Sequence, residues 1–476
     1  MNKKQFILRF GKIAIFCLIF SILFSKFYKI LSWKEGTAPY VSAATTLYED
    51  LEYNTADVLF LGSSHCYASI NNTKLYDDYG IGAFNMVISG QDLASSYYYM
   101  QEVFKTQNPK IVCVELYGAT FENHAVTANI YRNALSFKNN KNFYNVVNAI
   151  APKEDKNDYL LRWPIIHTRY KELQKGDFCK PNIPYLGGNS YGTHITDINE
   201  LYIYKGNDIF PISKQNEFFI KKFVEFSKEK NFQLCFFVVP FDAGKETQQQ
   251  FKFIEQKYCG DNIKFVNFFD IAEEINIDPH TDFSDSGHTN QYGAEKITTY
   301  MGNYLKNNYD IPDRRGDEKY HFWQANSKAA KHQNISDKIS KIYNISDYFD
   351  AIDNLSDHTI IIASNGDYMC DDINIKSDLI NLGIDSDFIT NGGVRIIQNE
   401  KIIYSADDDS LDSFYLDVPN AVLSVKKENG SNNIYFNRTN CKKVDNGFNI
   451  LIYDNFTGKI SDIVGFNSHN LYDGDH

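Results

Sequence analysis

The chain has 476 residues, of which 43% are hydrophobic and 15% aromatic, enough apolar material for two folded cores. Its formal net charge of -12 at pH 7 excludes a general electrostatic attraction to nucleic acid or to anionic lipid. The eight cysteines form no CxxC pair and no Cys/His group at metal-ligand spacing, so the sequence predicts neither a metal site nor a cofactor.

The N-terminus carries the clearest targeting signal. Four basic residues among the first twelve precede an uninterrupted apolar run at residues 13–25. That run is shorter than the roughly 20 residues that span a bilayer, but Lys26 and Lys29 can reach the interface and extend the helix to about Leu31. Because no small-x-small cleavage site follows closely, residues 1–34 are predicted to be a cytoplasmic tail and an uncleaved anchor, with the body of the protein outside the cell.

Between residues 35 and 311 the sequence alternates short apolar runs with helical patterns. The runs of buried-strand type are Ala56–Leu61, Ala83–Ile88, Ile111–Leu116, Leu234–Val239 and Ile263–Phe268. The clearest helical patterns are Ser95–Phe104, Asn216–Lys228, Glu246–Tyr258 and Gln291–Leu305. Buried strands that alternate with helices predict an α/β domain of three layers, in which a parallel sheet is covered on both faces. Reactive groups in such sheets gather at the carboxyl ends of the strands.

The alternation stops between about residues 121 and 215. This stretch has few long apolar runs and contains a cluster of aromatic and basic residues at 162–170, including His167 and Arg169. Two interpretations stay open. The stretch is either an insertion over the sheet, with His167 and Arg169 as candidate substrate contacts, or a solvated excursion whose aromatic side chains pack on one another.

The C-terminal third of the chain has a different pattern. Residues 312–345 are polar and charged and predict a linker, and residues 346–476 predict a smaller β-rich α+β domain. Its strand-like runs are 359–363, 393–397, 401–404, 422–425 and 448–453. The domain has no pattern of nucleophile and base, which favours binding over catalysis. Cys370 and Cys441 both lie in it, and the sequence leaves open whether they pair.

A hydroxyl, a carboxylate and an imidazole stand at two turns of the predicted α/β domain. The first strand runs into residues 62–65, Gly-Ser-Ser-His, which sets Ser64 at a strand-to-helix turn where amide N–H groups can face a developing oxyanion. Asp285 and His288 stand three residues apart on a turn before the last predicted helix. In that arrangement the carboxylate orients the imidazole, and the imidazole accepts the serine proton. The pattern predicts a catalytic triad with Ser64 as the nucleophile.

The order and spacing of these residues resemble the SGNH (GDSL-type) hydrolase superfamily over about residues 55–306. Gly62-Ser-Ser64 matches the first sequence block of the superfamily, Gly90 occupies the second, and Asp285-x-x-His288 matches the fifth. The resemblance implies that Asp285 and His288 serve the nucleophile Ser64. It also implies an oxyanion hole formed by the backbone amides of Ser64 and Gly90.

The third block departs from the pattern of the superfamily. Gly-x-Asn is usual after the third strand, whereas this chain reads Glu115-Leu-Tyr117-Gly118. Losing that donor costs about 2.7–4 kcal/mol of transition-state stabilisation unless Tyr117 or the Gly118 amide replaces it. Glu115 is either a buried acid or a strand-end residue paired with a basic neighbour, and we expect the second. His65, beside the nucleophile, is expected to shape the pocket, and it joins Tyr117 as a candidate substrate contact.

An anchor combined with these blocks resembles the surface-polymer enzymes of the superfamily, such as the D-alanyl transfer protein of teichoic-acid synthesis and the polysaccharide O-acetyltransferases and esterases. The similarity implies that an acyl group is moved onto, or off, a cell-envelope glycan or polyol polymer. The region from about Asp347 resembles the interleukin-like EMT-inducer module in segments 358–363, 392–397 and 447–459. Such modules suggest contact with a glycan.

Three functions stay open at this level. The first is a membrane-anchored serine acyl-ester enzyme, in which water as the acceptor gives an esterase and a sugar or polyol hydroxyl gives a transferase. The anchor favours the transferase, with a membrane-bound acyl-donor protein as its partner. The second is a non-catalytic surface protein, glycan-binding or scaffolding, with a degenerate SGNH fold. The third is metal-dependent hydrolysis through His65, Asp285 and His288, which the absence of a clustered ligand pattern disfavours.

Overall fold

The computed structural model divides the chain into two compact units, the N-terminal unit Met1–Ser327 and the C-terminal unit Lys328–His476. The boundary falls inside the segment 312–345 that the sequence predicts as a linker. The residues that the structure describes are 3–32, 43–121, 127–173, 175–178, 192, 194–353, 355–366 and 373–476.

The N-terminal unit begins with a membrane-length helix. Helix α1 (Lys3–Leu31) contains a span of 23 residues, Arg9–Leu31, whose mean hydropathy is 1.9 and whose apolar window is not buried against the rest of the chain. By length and composition this helix can cross a membrane, and it is the only one in the described part of the chain that can. It ends at Leu31, as predicted. The connecting stretch contains a short helix, α2 (Ala43–Glu49).

Five parallel strands form the sheet of this unit. They are β1 (Val58–Gly62), β2 (Ala83–Val87), β3 (Ile111–Glu115), β4 (Gln233–Val238) and β5 (Ile263–Asn267), in the spatial order β2-β1-β3-β4-β5. Each predicted strand is present, with bounds within two residues of the expected ones. An order of this kind is doubly wound and has a switch point between β1 and β3, where ligands bind beside the carboxyl ends of the strands.

Eleven further helices are described in the N-terminal unit. They are α3 (Ser64–Ser69), α4 (Asn72–Tyr79), α5 (Leu93–Val103), α6 (Thr127–Leu135), α7 (Lys141–Ile150), α8 (Lys156–Leu161), α9 (Trp163–Ile166), α10 (Lys175–Phe178), α11 (Lys214–Lys230), α12 (Lys245–Tyr258) and α13 (Gln291–Asn308). Helices α6 to α10 occupy the segment predicted as an insertion. This segment is more than a solvated excursion, because α7 buries Phe143 and Val147 in the same core as α5.

Alternate residues of the strands point into two separate hydrophobic cores, one on each face of the sheet. Leu59 and Leu61 of β1 pack into the core beneath α5, α7, α11 and α12. Val58 and Phe60 pack into the core beneath α4 and α13, where Met301 is fully buried. Each such buried side chain contributes about 1.5–3 kcal/mol of transfer free energy. The sheet is therefore covered on both faces, and the prediction of a three-layer α/β unit is confirmed.

The C-terminal unit contains two antiparallel sheets. A six-stranded sheet has the order β15-β14-β13-β6-β7-β8, and a four-stranded sheet has the order β12-β11-β10-β9. The strands are β6 (His358–Asn365), β7 (Val394–Gln398), β8 (Lys401–Ala406), β9 (Ser413–Val418), β10 (Ala421–Glu428), β11 (Ser431–Phe436), β12 (Thr439–Asn440), β13 (Gly447–Asp454), β14 (Lys459–Asn467) and β15 (Asn470–Asp475).

Three helices, α15 (Ile345–Ile352), α16 (Ile373–Asn381) and α17 (Ser386–Asn391), complete this unit, and α14 (His321–Ile339) contains the boundary between the two units. The prediction of a β-rich α+β region is confirmed. Cys370 lies outside the described residues, so whether it pairs with Cys441 stays open.

Candidate active site

Ser64 stands where β1 gives way to α3 with almost no intervening chain. Gly62 ends the strand and Ser64 begins the helix. A Cβ on Gly62 would lie 2.6 Å from the Cβ of Glu115, so only glycine fits this close approach of two strand ends. Ser63 caps α3, and its hydroxyl oxygen accepts the N–H of His65 at 3.3 Å. The turn therefore puts the Ser64 side chain at the carboxyl end of β1, beside the switch point.

The loop before α13 is attached to α3 by buried hydrogen bonds. The Thr289 hydroxyl donates to the carbonyl of Ala68 at 2.9 Å and accepts the hydroxyl of Ser69, also at 2.9 Å. Thr289 follows His288 directly, while Ala68 and Ser69 end the helix that begins at Ser64. Because these bonds join residues that are close in sequence to His288 and to Ser64, they fix the distance between the two.

The other end of the same loop is held by Asn290, which caps α13. Its side-chain oxygen accepts the N–H groups of Tyr292 and Gly293 at 2.9 and 3.3 Å. Its amide donates to the carbonyls of Thr281 and Phe283 at 2.7 and 3.2 Å. One side chain thus satisfies helix N–H groups and closes the turn that carries Asp285 and His288.

The three residues of the predicted triad come together in the expected order. His288 Nε2 lies 2.8 Å from Ser64 Oγ, and His288 Nδ1 lies 2.9 and 3.0 Å from the two carboxylate oxygens of Asp285. When Nδ1 donates its proton to Asp285, Nε2 is the acceptor nitrogen of the neutral ring and faces the serine hydroxyl. The arrangement can remove the Ser64 proton and return it to a leaving group.

The environment of Asp285 favours its charged form. Partial burial acts to raise the pKa of Asp285, but the hydrogen bonds from His288 and from the Gly287 N–H outweigh it and hold the pKa below its ordinary value. The carboxylate is 57% exposed, so solvent screens its interaction with the ring. Its main effect is to select the tautomer and orientation of His288.

His65 forms an aromatic wall beside the triad, together with Tyr117 and Phe241. The ring of His65 stacks on Tyr117 with 3.8 Å between centroids, meets Phe241 edge-on at 4.7 Å and lies 5.1 Å from the ring of His288. Burial, followed by the neighbouring His288, lowers the pKa of His65 to about 3, while Asp285 acts in the opposite direction. His65 is therefore neutral at pH 7 and gives the wall an uncharged surface.

Glu115 does not have the basic partner that the sequence predicts. In the described part of the chain its carboxylate accepts the N–H and hydroxyl of Ser63 at 3.2 and 2.9 Å and the N–H of Tyr117 at 2.5 Å. The reason is its position: Glu115 ends β3 and faces the turn after the neighbouring β1, where backbone donors are nearest. Burial raises the pKa of Glu115 to about 7 against the lowering effect of these three donors. Glu115 thus joins the turns that follow β1 and β3.

Gly90 lies in the turn after β2 with a φ of 64°, in the left-handed region that favours glycine. A Cβ at this position would overlap the side-chain amide of Asn129, so α6 lies directly over the turn. Asn133, on the same helix, donates its amide to the carbonyls of Ser89 and Gly90 at 3.3 and 3.4 Å. Neither asparagine was predicted, because no motif marks them in the insertion.

His167 and Arg169 lie at the C-terminal end of α1. His167 Nδ1 contacts the carbonyl of Trp163 at 3.1 Å. Arg169 is buried and forms an ion pair with Asp177 at 3.0 Å. Its guanidinium also donates to the carbonyl of Leu31 at 2.9 Å and to that of Ser32 at 2.7 Å. These contacts attach the insertion to the end of the membrane-length helix, and a role of the two residues in substrate binding stays a prediction.

The fold and the site together define a doubly wound α/β unit with an ordered array of serine, histidine and aspartate at the carboxyl edge of its sheet. No protein-family model matches the sequence, and no curated protein matches it.

Proposed function

We propose that this protein is a membrane-anchored serine acyl-ester enzyme of the SGNH type. The observation that carries the proposal is the continuous array in which Ser64 Oγ, the two ring nitrogens of His288 and the Asp285 carboxylate are joined by contacts of 2.8 to 3.0 Å. Residues 224 positions apart are brought within hydrogen-bond distance at a switch point of the sheet. Their chemistry is that of an activated nucleophile.

The proposed reaction has two balanced halves. In the first, Ser64 Oγ attacks the ester carbonyl while His288 Nε2 takes its proton, and the backbone amides of Ser64 and Gly90 stabilise the oxyanion. The ester C–O bond then breaks, and the leaving alcohol takes the proton from His288. In the second, His288 deprotonates water or an acceptor hydroxyl, which attacks the acyl-Ser64 ester and regenerates the serine. An acid or a new ester leaves.

The position of each sequence block supports the SGNH assignment. The first block follows β1, the second follows β2, and the fifth stands directly before α13. The missing third-block asparagine weakens the oxyanion hole, and the Asn129 amide, which lies against Gly90, is of the donor type that this hole lacks. The site therefore contains the types of side chain that acyl transfer requires: a nucleophile, a base, a carboxylate and an amide donor.

The metal-dependent alternative is less well supported. Both ring nitrogens of His288 are engaged, one with Ser64 and one with Asp285, which leaves neither for a metal ion. The ring of His65 stacks on Tyr117 and meets Phe241 edge-on, as part of the aromatic wall. We expect activity to survive exhaustive chelation.

The proposed location is the cell membrane, with a single pass through α1 and both folded units on the extracytoplasmic side. The proposed acceptor is a hydroxyl of a cell-envelope glycan or polyol polymer, since the neutral wall of His65, Tyr117 and Phe241 suits the apolar face of a sugar or a short acyl chain. A membrane-bound acyl-donor protein is the proposed partner. The C-terminal unit, with its resemblance to an interleukin-like module, is proposed to bind glycan.

The test is covalent labelling of the full-length protein, purified in detergent, by a fluorophosphonate probe. Native protein is expected to be labelled, and Ser64→Ala and His288→Ala are expected to lose the label, because one lacks the nucleophile and the other its base. Matched controls are Ser410→Ala and His280→Ala, which change an exposed serine and an exposed histidine elsewhere and should label as the native protein does. Absence of labelling in folded native protein would overturn the enzyme proposal and favour a surface scaffold.

A further inference from the structure

Three side chains that are common metal ligands meet inside the C-terminal unit. His332 lies on α14, His358 begins β6, and Asp454 ends β13. They are 6%, 1% and 3% exposed, and one ligand atom from each lies within 4.8 Å of the other two. His358 and Asp454 are direct partners across the antiparallel pair of β6 and β13, so the register of the sheet fixes two of the three ligands.

Two ring nitrogens in this cluster have no hydrogen-bond partner among the described residues. They are Nδ1 of His332 and Nε2 of His358. His332 Nδ1 lies 3.0 Å from Asp454 Oδ1, yet their relative orientation makes no hydrogen bond. A buried polar atom without a partner costs about 1–3 kcal/mol. Two such atoms on adjacent side chains, both next to a buried carboxylate, call for a bound species that satisfies them together.

The outer contacts orient these groups as metal ligands are oriented. His358 Nδ1 contacts the carbonyl of Ser356 at 2.6 Å, which puts the proton on Nδ1 and leaves the lone pair of Nε2 free. Asp454 accepts the N–H groups of Phe456 and Thr457 at 2.8 and 3.1 Å and the Thr457 hydroxyl at 2.6 Å. A carbonyl behind a ligating imidazole and donors behind a ligating carboxylate are recurrent features of metal centres.

We propose that His332, His358 and Asp454 bind one divalent transition-metal ion, and that Zn²⁺ is the ion that fits best. Two imidazoles and one carboxylate form a nitrogen-rich set that Zn²⁺ accepts at about 2.0–2.2 Å, with a fourth position for water. Mg²⁺ and Ca²⁺ prefer sets made entirely of oxygen. Ligand atoms around a tetrahedral ion of this size are about 3.4 Å apart, so binding requires only that the side chains draw together from separations of up to 4.8 Å.

The ion has a structural role within the C-terminal unit and no part in the chemistry proposed at Ser64. It cross-links α14 to the β6–β13 pair, in addition to the ion pair of Lys328 on α14 with Asp357 beside β6. Binding to the folded form alone stabilises that form by mass action. Chelation is therefore expected to lower the thermal stability of this unit while leaving probe labelling at Ser64 unchanged.

The test uses the full-length protein in detergent, stripped of metal by chelation and then titrated with Zn²⁺ alone. Native protein is expected to bind one Zn²⁺ per chain and to gain about 5 °C in Tm at saturating ion. With Co²⁺ it is expected to show the visible absorption of a four-coordinate nitrogen and oxygen site. Asp454→Asn, which retains an acceptor for the surrounding N–H groups, and His358→Gln are expected to lose at least 90% of the binding. His469→Gln, an exposed histidine in the same unit, is expected to keep it.

Two outcomes overturn the proposal. One is a folded native protein that binds no Zn²⁺ and shows no Co²⁺ spectrum, which needs no variant to interpret. The other is binding that persists in Asp454→Asn and His358→Gln, because the ion then has other ligands. The check on folding is the thermal unfolding of each metal-free variant compared with that of the metal-free native protein, because Ser64 lies in the N-terminal unit and its labelling does not report on the unit that holds the cluster.

Discussion

Glu115 gives the N-terminal unit an unusual dependence on pH. Burial raises its pKa to about 7, compared with 4.5 for an ordinary glutamate. Between about pH 4.5 and 7 the unfolded chain has lost this proton while the folded chain keeps it, so the folded state binds more protons and its stability falls as the pH rises. Above about pH 7 the destabilisation by Glu115 is complete, and the difference between the pKa values in the folded and unfolded states corresponds to a cost of about 3 kcal/mol.

Glu115→Gln is expected to remove this slope, because the amide does not ionise. The measurement is chemical unfolding in detergent followed by tryptophan fluorescence, since all three tryptophans (33, 163 and 323) lie in the N-terminal unit. Between about pH 4.5 and 8 the native protein should lose about 3 kcal/mol more stability than the variant. Asp92, with a pKa raised to about 6 mainly by burial, is present in both proteins and cancels in the difference. Equal slopes, or an equal change in the exposed control Glu154→Gln, would contradict the prediction.

The residues of the site differ in how far the sequence predicts them. Ser64, Asp285 and His288 are foreseen, because each belongs to a short motif at the end of an apolar run. The hydrogen bonding of Glu115 is not foreseen, because its donors come from the turn after a different strand. The cluster of His332, His358 and Asp454 has no local spacing at all. It forms only through the pairing of β6 with β13 and the position of α14.

At the scale of elements, the position of His288 depends on the attachment of its loop to α3. Thr289→Val keeps the shape and β-branching of the side chain but leaves the carbonyl of Ala68 and the hydroxyl of Ser69 without their partner. We expect a loss of about 1–2 kcal/mol in the free energy of unfolding. We also expect about a tenfold slower rate of fluorophosphonate labelling, since a small displacement of a catalytic base is costly.

The matched control for this prediction is Thr299→Val, on the less buried side of α13. It changes the same atoms without touching the link to α3 and should alter neither quantity by more than a small amount. If Thr289→Val loses stability but labels at the native rate, the loop does not position His288, and the hydroxyl has a purely structural role.

The strands that are buried on both of their faces were predictable from the sequence. Strands β1 to β5 carry continuous apolar runs, because both faces of the parallel sheet are covered. Strand β9 was missed, although its exposed and half-buried residues alternate as those of the predicted β8 do, and it is paired with β10. The short helices of the insertion, such as α7, were also missed. Helix α7 has an apolar stripe at Phe143, Val146, Val147 and Ile150 and an N-cap at Asn140, so its local pattern is present in the sequence and was overlooked.

At the scale of the whole molecule, the proposed location of the chemistry depends on α1. Its 23-residue span is about 35 Å long at 1.5 Å per residue, enough to cross a hydrocarbon core of about 30 Å. At its C-terminal end, Arg169 donates to the carbonyls of Leu31 and Ser32. A cation at the last turn satisfies carbonyls that the helix leaves unpaired and complements its dipole. Helix α1 therefore enters the folded unit through a defined contact, which in the proposed membrane-anchored enzyme would hold the site near the membrane surface.

A charge at the middle of this span is expected to release the protein from the membrane. Ile19→Asp puts a carboxylate near the centre of the span, at a cost of about 3 kcal/mol for insertion, whereas Ile19→Leu keeps the apolar character. Native protein and Ile19→Leu should stay in the carbonate-resistant membrane fraction and lose a C-terminal epitope to protease added outside intact cells. For Ile19→Asp, the ratio of membrane-bound to released protein should fall about a hundredfold.

If Ile19→Asp stays fully membrane-bound, α1 is not the sole anchor. An epitope protected in intact cells would instead put both units on the cytoplasmic side and remove the envelope polymer as the acceptor.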